Sequence, residues 1–138
     1  MSAHDLIASL ADPARAGVRL IDAREAELLV EPAAALGLAL VRIDLSGCTD
    51  KDAALDRIAR ALQFPEWFGR NWDALADSLG DLSWAPAPGY VLLFEHGEAW
   101  RDRGDPEVAT LLDILDEAAQ SWAARDVPFW PVLALTPP

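Results

Sequence analysis

Cysteine and lysine are almost absent from this sequence: Cys48 and Lys51 are single occurrences in 138 residues. One cysteine cannot form a disulfide within the chain, and a lone thiolate remote in sequence from His4 and His96 cannot build the usual thiolate metal site. Cys48 is therefore interpreted as an ordinary thiol. These absences predict a cytoplasmic protein that needs no disulfide, metal or other cofactor.

Long apolar runs and phosphate-binding glycine loops are also missing. A membrane-spanning helix needs about 20 consecutive apolar residues, and no stretch of the sequence approaches that length. The first residues, MSAHDLIASLADPARAG, lack the basic start and long apolar segment of a signal peptide. A Gly-rich phosphate loop and a G-x-S-x-G turn are absent as well. The sequence therefore argues against a membrane protein, an exported protein, and nucleotide-binding or hydrolase families defined by those motifs.

Positive charge is scarce. Eleven Lys and Arg residues face 23 Asp and Glu residues, so the formal net charge is −12 at pH 7. A phosphate-rich nucleic acid would be repelled, which argues against direct nucleic-acid binding. A basic protein is the natural electrostatic partner, whereas the plainer interpretation is that the charge only keeps the protein soluble.

The hydrophobic pattern predicts an α/β fold, with a small parallel sheet flanked by helices. Four segments have the alternating or continuous apolar pattern of strands: residues 17–22, 38–45, 90–96 and 127–135. Helix-forming segments separate them, as the crossovers between parallel strands require. We expect residues 1–37 to form an N-terminal strand–helix extension packed on a domain that spans residues 38–138.

Cap and turn residues refine this prediction. We expect Asn71 to cap a short helix that Gly80 ends, and Asp105 to cap the longest helix. Proline cannot donate to a sheet, so Pro128 and Pro131 should confine the first half of the last strand to a sheet edge or an irregular start.

The segment FPEWFGRNWDALADSLGDLSW, residues 64–84, combines aromatic residues with aspartates at intervals of four. Asp73 and Asp77 fall on one face of the short helix, where two like charges cost roughly 0.2–0.5 kcal/mol. The plain interpretation is a solvated polar face. The alternative is a patch that binds a cationic partner beside the loop aromatics Trp67 and Phe68.

The longest helix carries a second acidic set. Asp113 and Glu117 lie four residues apart and off its apolar stripe. Two acidic helix faces would form one electronegative surface if the two helices are adjacent. The remaining tryptophans of these segments, Trp72, Trp84 and Trp122, are expected in the core.

The segment from Pro65 to Leu79, PEWFGRNWDALADSL, resembles the barstar family, the intracellular inhibitors of barnase-type ribonucleases. The family pattern is Pro-Glu-aromatic-aromatic-Gly-x-Asn-hydrophobic-Asp-Ala-Leu-x-Asp-x-Leu, and the order of predicted elements from about residue 38 to 136 also agrees with it. The resemblance implies a small parallel sheet flanked by helices and a protein that is not an enzyme. Its partner would be a basic extracellular-type ribonuclease or ribonuclease toxin, whose active site it would plug with carboxylates in place of RNA phosphates.

The resemblance also implies which residues bind that partner. Trp67, Asp73 and Asp77 match the positions that carry much of the binding in the family. On the last helix, Glu117 in LDEAAQ is the best match to a glutamate that also contributes. With the motif residues around them, the predicted partner-binding set is Trp67, Phe68, Gly69, Asn71, Asp73, Asp77 and Glu117.

Departures from the family pattern leave alternatives open. Trp67 stands where the family's namesake has tyrosine, and Ala76 replaces the aromatic residue before the second aspartate. An acidic interaction module that binds some other basic partner therefore stays an alternative to a ribonuclease inhibitor. An enzyme that pairs the carboxylates of Asp73 and Asp77 is a weaker alternative, because the sequence supplies no nucleophile, buried acid or metal-ligand cluster beside them.

Overall fold

A four-stranded parallel sheet forms the centre of the fold. The computed structural model describes residues 2–66 and 68–137. The strands are β1 (Arg19–Asp22), β2 (Ala39–Asp44), β3 (Tyr90–Glu95) and β4 (Phe129–Leu135). They lie in the order β1-β4-β3-β2, and every neighbouring pair is parallel. The predicted class, a small parallel sheet with an added N-terminal strand and helices, is confirmed.

Helices cover the sheet on both faces. They are α1 (Ala3–Ser9), α2 (Val30–Ala35), α3 (Lys51–Ala61), α4 (Trp72–Asp81), α5 (Glu98–Asp102) and α6 (Glu107–Ala123), with 3₁₀ turns at Pro13–Arg15 and Ala23–Leu29. Side chains of β3 alternate between two hydrophobic clusters, so that Leu92 and Phe94 pack with α3, α4 and α6 while Val91 and Leu93 pack with α1 and α2. The continuous apolar run of β3 is therefore buried on both faces, as predicted.

The residues before β2 cover one whole face of the sheet. Leu6 of α1, Leu10 just after α1 and Leu29 of the second 3₁₀ turn are fully buried in the same cluster as Trp130 of β4. The Nε1–H of Trp130 donates to the backbone oxygen of Leu10 at 2.9 Å. This segment also contributes β1, which pairs with β4 at the edge of the sheet. Its description as an extension of a domain that begins at residue 38 stays a proposal.

Proline is tolerated in β4 because of where β1 begins. Pro131 pairs in register with Leu92 of β3, but pairing with β1 starts only at Val132. The first half of β4 thus has a neighbour on one side only, which agrees with the predicted edge position. Pro128 precedes the strand, and its backbone oxygen accepts from the backbone N–H of Tyr90 at 2.9 Å.

The predicted cap of α4 is confirmed, but the predicted cap of α6 and the predicted end of α4 are wrong. Asn71 caps α4 by accepting from the backbone N–H of Ala74 at 2.8 Å. Pro106, not Asp105, is the N-cap of α6, which begins at Glu107; the Oδ1 of Asp105 still accepts from the backbone N–H of Glu107 at 3.0 Å. Gly80 does not end α4.

Leu82 ends α4 instead, in the left-handed conformation with φ 47°. The helix continues through Gly80 to Asp81, so Asp81 is its last residue rather than part of the following loop. The continuation brings Leu82 into the core, where it is 1% exposed. Burial of a leucine side chain stabilises by roughly 1.5–3 kcal/mol, which offsets the cost of about 1 kcal/mol for glycine within a helix and the cost of about 1–2 kcal/mol for the left-handed backbone of Leu82.

Removal of residues 1–37 should uncover the face of the sheet that contains Trp130. We expect the 38–138 fragment to aggregate or to lose cooperative unfolding, because the apolar side chains of that face would meet water. Circular dichroism melts measure the cooperativity of unfolding, and size-exclusion chromatography measures aggregation. In the full chain, Leu10→Ala should lower the free energy of unfolding by about 2–5 kcal/mol. A monomeric fragment that melts within a few degrees of the full chain would show that residues 38–138 fold alone.

Gly80→Ala should stabilise the protein by about 0.4–1 kcal/mol, because alanine favours the helix and restricts the unfolded chain. A Cβ atom at Gly80 would meet no other heavy atom within 4 Å, and the backbone there is helical. Gly47 is the matched control, since a Cβ there also meets open space but φ is +76°. In urea denaturation we expect Gly47→Ala to destabilise; a loss of stability in Gly80→Ala would contradict the helical assignment.

Candidate functional site

One side of α4 faces solvent and carries three carboxylates. Leu75 and Leu79 turn inward and are fully buried, whereas Asp73, Asp77 and Asp81 are exposed. We call these three aspartates the acidic face. Asp73 lies in the first turn, where the helix dipole favours a negative charge, but Asp77 and Asp81 gain nothing from it.

Small residues lie between the aspartates on the exposed side of α4. Ala76 is exposed between the aspartates, and Gly80 adds no side chain. No bulky side chain of α4 therefore stands between the carboxylates.

The carboxylates of the acidic face are not paired with the arginines of the described residues. Arg42 binds both Glu27 and Glu95, with N–O distances of 2.6 Å. The other ion pairs also join arginines to acids outside the acidic face: Arg24–Asp22, Arg60–Asp56, Arg70–Asp56 and Arg101–Asp102. Among residues 2–66 and 68–137, Asp73, Asp77 and Glu117 belong to no ion pair, so their charge is free for an outside cation.

The loop before α4 is held by its own aromatic side chains. The ring of Phe68 is half-buried and packs edge-to-face on Phe64, with 4.8 Å between ring centroids. Phe64 in turn packs against Trp84. Phe68 thus anchors the loop, and a role in binding a partner stays a prediction for it. Trp67, predicted as the exposed aromatic, lies outside the described residues.

Gly69 and Asn71, also predicted to bind the partner, form hydrogen bonds that shape the end of the loop. Asn71 donates from Nδ2 to the backbone oxygen of Gly69 at 3.4 Å while its Oδ1 caps α4. Gly69 and Asn71 are both exposed. Their hydrogen bonds join the end of the loop to the start of α4, so they position Asp73 whatever else they contact.

Helix α6 packs directly beside α4 and brings Glu117 to the same side of the sheet. Glu117 is exposed, and the helix that carries it buries Leu115 and Ala119 in the cluster that also contains Leu75 of α4. The adjacency that two acidic helix faces need for a shared surface is therefore present.

Hydrogen bonds from two tryptophans clamp α4 to α6. At the amino-terminal ends, Trp72 donates from Nε1 to Oε2 of Glu107 at 2.5 Å. Near the carboxyl-terminal ends, Trp122 donates from Nε1 to the backbone oxygen of Leu79 at 2.7 Å. The two helices run in the same direction, because like ends are joined. The clamp sets the position of the acidic face relative to Glu117.

Arg125 closes the carboxyl-terminal end of this helix pair. Its Nη2 donates to the backbone oxygen of Gly80 at 2.8 Å, and its guanidinium carbon lies 3.7 Å from the ring centroid of Trp122. A cation at a helix C-terminus offsets the negative end of the helix dipole. Arg125 therefore supports the end of α4 that carries Asp81.

The core prediction for the tryptophans is only partly correct. Trp122 is buried, whereas Trp72 and Trp84 are half-buried against the cluster. A tryptophan needs a partner for its N–H when it leaves water, and this need is the signal that could have pointed to a bond such as Trp72–Glu107. No motif or spacing connects Glu107 or Arg125 with α4, so both were missed.

Among the described residues, His, Cys, Asp and Glu side chains form no group of three or more that could hold a metal ion. Cys48 is buried, and this burial raises the pKa of its thiol, so it stays protonated at neutral pH. In the same part of the chain, no helix combines the length and the apolar character that crossing a membrane requires. The exposed, unpaired carboxylates suit a binding surface.

Trp72→Phe should destabilise the protein by about 1–2 kcal/mol, because it leaves the Glu107 carboxylate without its donor while keeping an aromatic ring. A hydrogen bond to a charged group contributes about 1.5–3 kcal/mol, and partial exposure reduces this. Trp84→Phe is the matched control, since its Nε1 donates to a neutral backbone oxygen, that of Leu62. Urea denaturation should give the larger loss for Trp72→Phe; equal losses would mean that the charge of Glu107 adds nothing to its hydrogen bond.

Comparison with known families supports the resemblance noted in the sequence. The family model described as Barstar (barnase inhibitor) matches residues 38–134, more than half of the 138 residues. The match starts just before β2 and includes α3, α4 and α6, and thus the acidic face and Glu117. No curated protein matches the chain significantly. The motif, the sheet with its flanking helices and the family match agree, and the chain belongs to the barstar (barnase inhibitor) family.

Proposed function

We propose that this protein inhibits a basic barnase-type ribonuclease by covering its active site with the acidic face of α4. The single observation that carries the proposal is the exposure of Asp73 and Asp77, unpaired among the described residues, on a helix that the family match includes. Carboxylates at such a surface can take the places that RNA phosphates occupy in a nuclease.

The proposed contacts follow the family pattern. Asp77 meets the arginine cluster that holds phosphate in the nuclease, and Asp73 and Glu117 extend the match of opposite charges. Trp67 packs over the rim of the active site. The weight given to Asp77 comes from the family resemblance, since charge and exposure alone do not rank it above Asp73.

Charge also favours fast recognition of a basic enzyme. The net charge of −12 attracts a basic protein at long range, and the attraction weakens as salt screens it. A ribonuclease toxin or an extracellular-type ribonuclease has the required basic character, because it must bind RNA. The protein acts in the cytoplasm in this proposal, where it protects the cell's RNA.

A second candidate is an acidic module that binds a basic protein other than a ribonuclease. Ala76 favours it, because this position is exposed on α4 and lacks the aromatic anchor of the family pattern. A basic partner that lacks a pocket for an aromatic side chain could therefore bind the exposed side of α4. The two candidates share the acidic face and differ in the partner that covers it.

Asp77→Ala should weaken inhibition of the cognate ribonuclease by about 2–5 kcal/mol, or roughly 30- to several-thousand-fold in affinity. The loss arises because the nuclease arginines would stay buried without a counter-charge. The measurement is an inhibition titration with basic ribonucleases and ribonuclease toxins from the same genome, repeated at two salt concentrations.

Asp5→Asn is the control for overall charge, because Asp5 is exposed on α1, which covers the opposite face of the sheet. It should inhibit like the unchanged protein. Equal inhibition by Asp77→Ala would refute the proposed contact. Binding only to a basic partner without nuclease activity, still sensitive to Asp77→Ala, would favour the second candidate.

A further inference from the structure

A partly open apolar cavity lies at the carboxyl ends of the strands, apart from the exposed side of α4. Its floor is formed by the sheet, including Phe94 of β3 and Leu133 of β4, and its wall by Leu111 and Leu112 of α6. The short helix α5 covers part of it with Trp100, and Leu20 of β1, which is exposed to solvent, also lines it. Parallel α/β sheets commonly bind ligands beyond the carboxyl ends of their strands.

The cavity has the size and lining of a site for a small apolar molecule. Its volume is about 110 Å³, and Arg101 is the only charged residue among those that line it. The guanidinium of Arg101 is already engaged, with Asp102 at 2.8 Å and the backbone oxygen of Thr136 at 2.6 Å. An apolar cavity of about 150 Å³ in another protein stays dry and binds benzene or xenon.

The segment above the cavity is built like a lid. Helix α5 lies between Gly97 and Gly104, and Gly104 has φ +67°. The backbone at Gly97 is not left-handed, so an L-residue could adopt it, but a Cβ atom there would lie 3.3 Å from Cδ1 of Leu45, a neighbour in the cavity lining. A glycine at each end is a common feature of short segments that move as lids.

Polar contacts of the half-buried Glu98 and Arg101 hold α5 over the cavity. Oε2 of Glu98 accepts from the backbone N–H of Thr136 at 2.9 Å and from its hydroxyl at 3.0 Å. With the Arg101 bond, three hydrogen bonds join α5 to the residue that follows β4. Beside these three hydrogen bonds, an open depression of about 330 Å³ shares Leu20, Arg101 and Leu135 with the cavity. Breaking the three bonds would connect the depression with the cavity.

We propose that the cavity under α5 is a binding site for a small apolar molecule of about the size of benzene, reached when α5 lifts from Thr136. A polar or charged ligand is disfavoured, because the rest of the lining is apolar and Arg101 already donates from Nε to Asp102 and from Nη1 to Thr136. A second copy of the chain is an unsuitable occupant, since two molecules of net charge −12 repel each other. The site does not depend on the proposed function of the acidic face.

Benzene is the probe for the full-length protein. Its titration should produce saturable shifts in the methyl NMR signals of Leu111, Leu112 and Leu133, while those of Leu6 and Leu10, on the other face of the sheet, stay in place. Absence of saturable shifts in the cavity methyls, up to the solubility of benzene, would overturn the proposal. This arm needs no variant.

Val108→Phe tests the location, because Val108 lines the cavity and the larger ring would fill it. We expect at least tenfold weaker benzene binding. Val30→Phe makes the same change at an exposed position on α2 and should bind benzene like the unchanged protein. Equal binding by Val108→Phe would place benzene elsewhere and refute the site; if that variant does not fold, the methyl titration of the unchanged protein decides.

The lid is tested by exchange rates. Glu98→Ala removes two of the three bonds to Thr136, so benzene should enter and leave several-fold faster. Asp102→Ala removes the ion pair of Arg101 but leaves the bonds of Glu98, and should change the rates less. Unchanged rates in Glu98→Ala would show that α5 is not the route to the cavity.

Discussion

A parallel sheet buried on both faces is the constraint on which the rest of this structure depends. The strands of such a sheet are apolar on both sides, so each face needs a covering layer. Residues from β2 onward supply helices for one face only. The segment before them covers the other face, where Trp130 hydrogen-bonds to Leu10. The N-terminal residues thus serve the core, although the family match begins after them.

The same constraint gives α4 its two different sides. The side with Leu75 and Leu79 must face the sheet, which leaves the aspartates outside. Three hydrogen bonds between α4 and the α6 segment then hold α4 in place. Trp72 donates one from α4, and Trp122 and Arg125 donate the other two to α4. The like charges of the acidic face repel one another in the free protein. The bonds to α6 hold α4 in place despite this repulsion, before a partner binds. Such preorganisation favours tight binding, because little order remains to be imposed on association.

Sequence reasoning predicted the features that depend on local chemistry. The apolar run of β3, the cap at Asn71 and the edge-like start of β4 at Pro131 follow from side-chain type and backbone limits, and the structure contains all three. The predicted helix end at Gly80 is wrong because the prediction used only local sequence. A glycine commonly follows a helix end, but the gain from burying Leu82 extends α4 beyond it. Burial is not visible in the residue's own neighbourhood in sequence.

The candidate site divides in the same way. The sequence by itself determined the α/β class, the family motif, the spacing of the aspartates and the excess of negative charge, because these are properties of residue order and composition. Only the tertiary structure decided that α6 lies beside α4, that Glu107 and Arg125 clamp the pair, and that α5 closes an apolar cavity. Those features join residues tens of positions apart, and their energies depend on distances that exist only once the chain has packed.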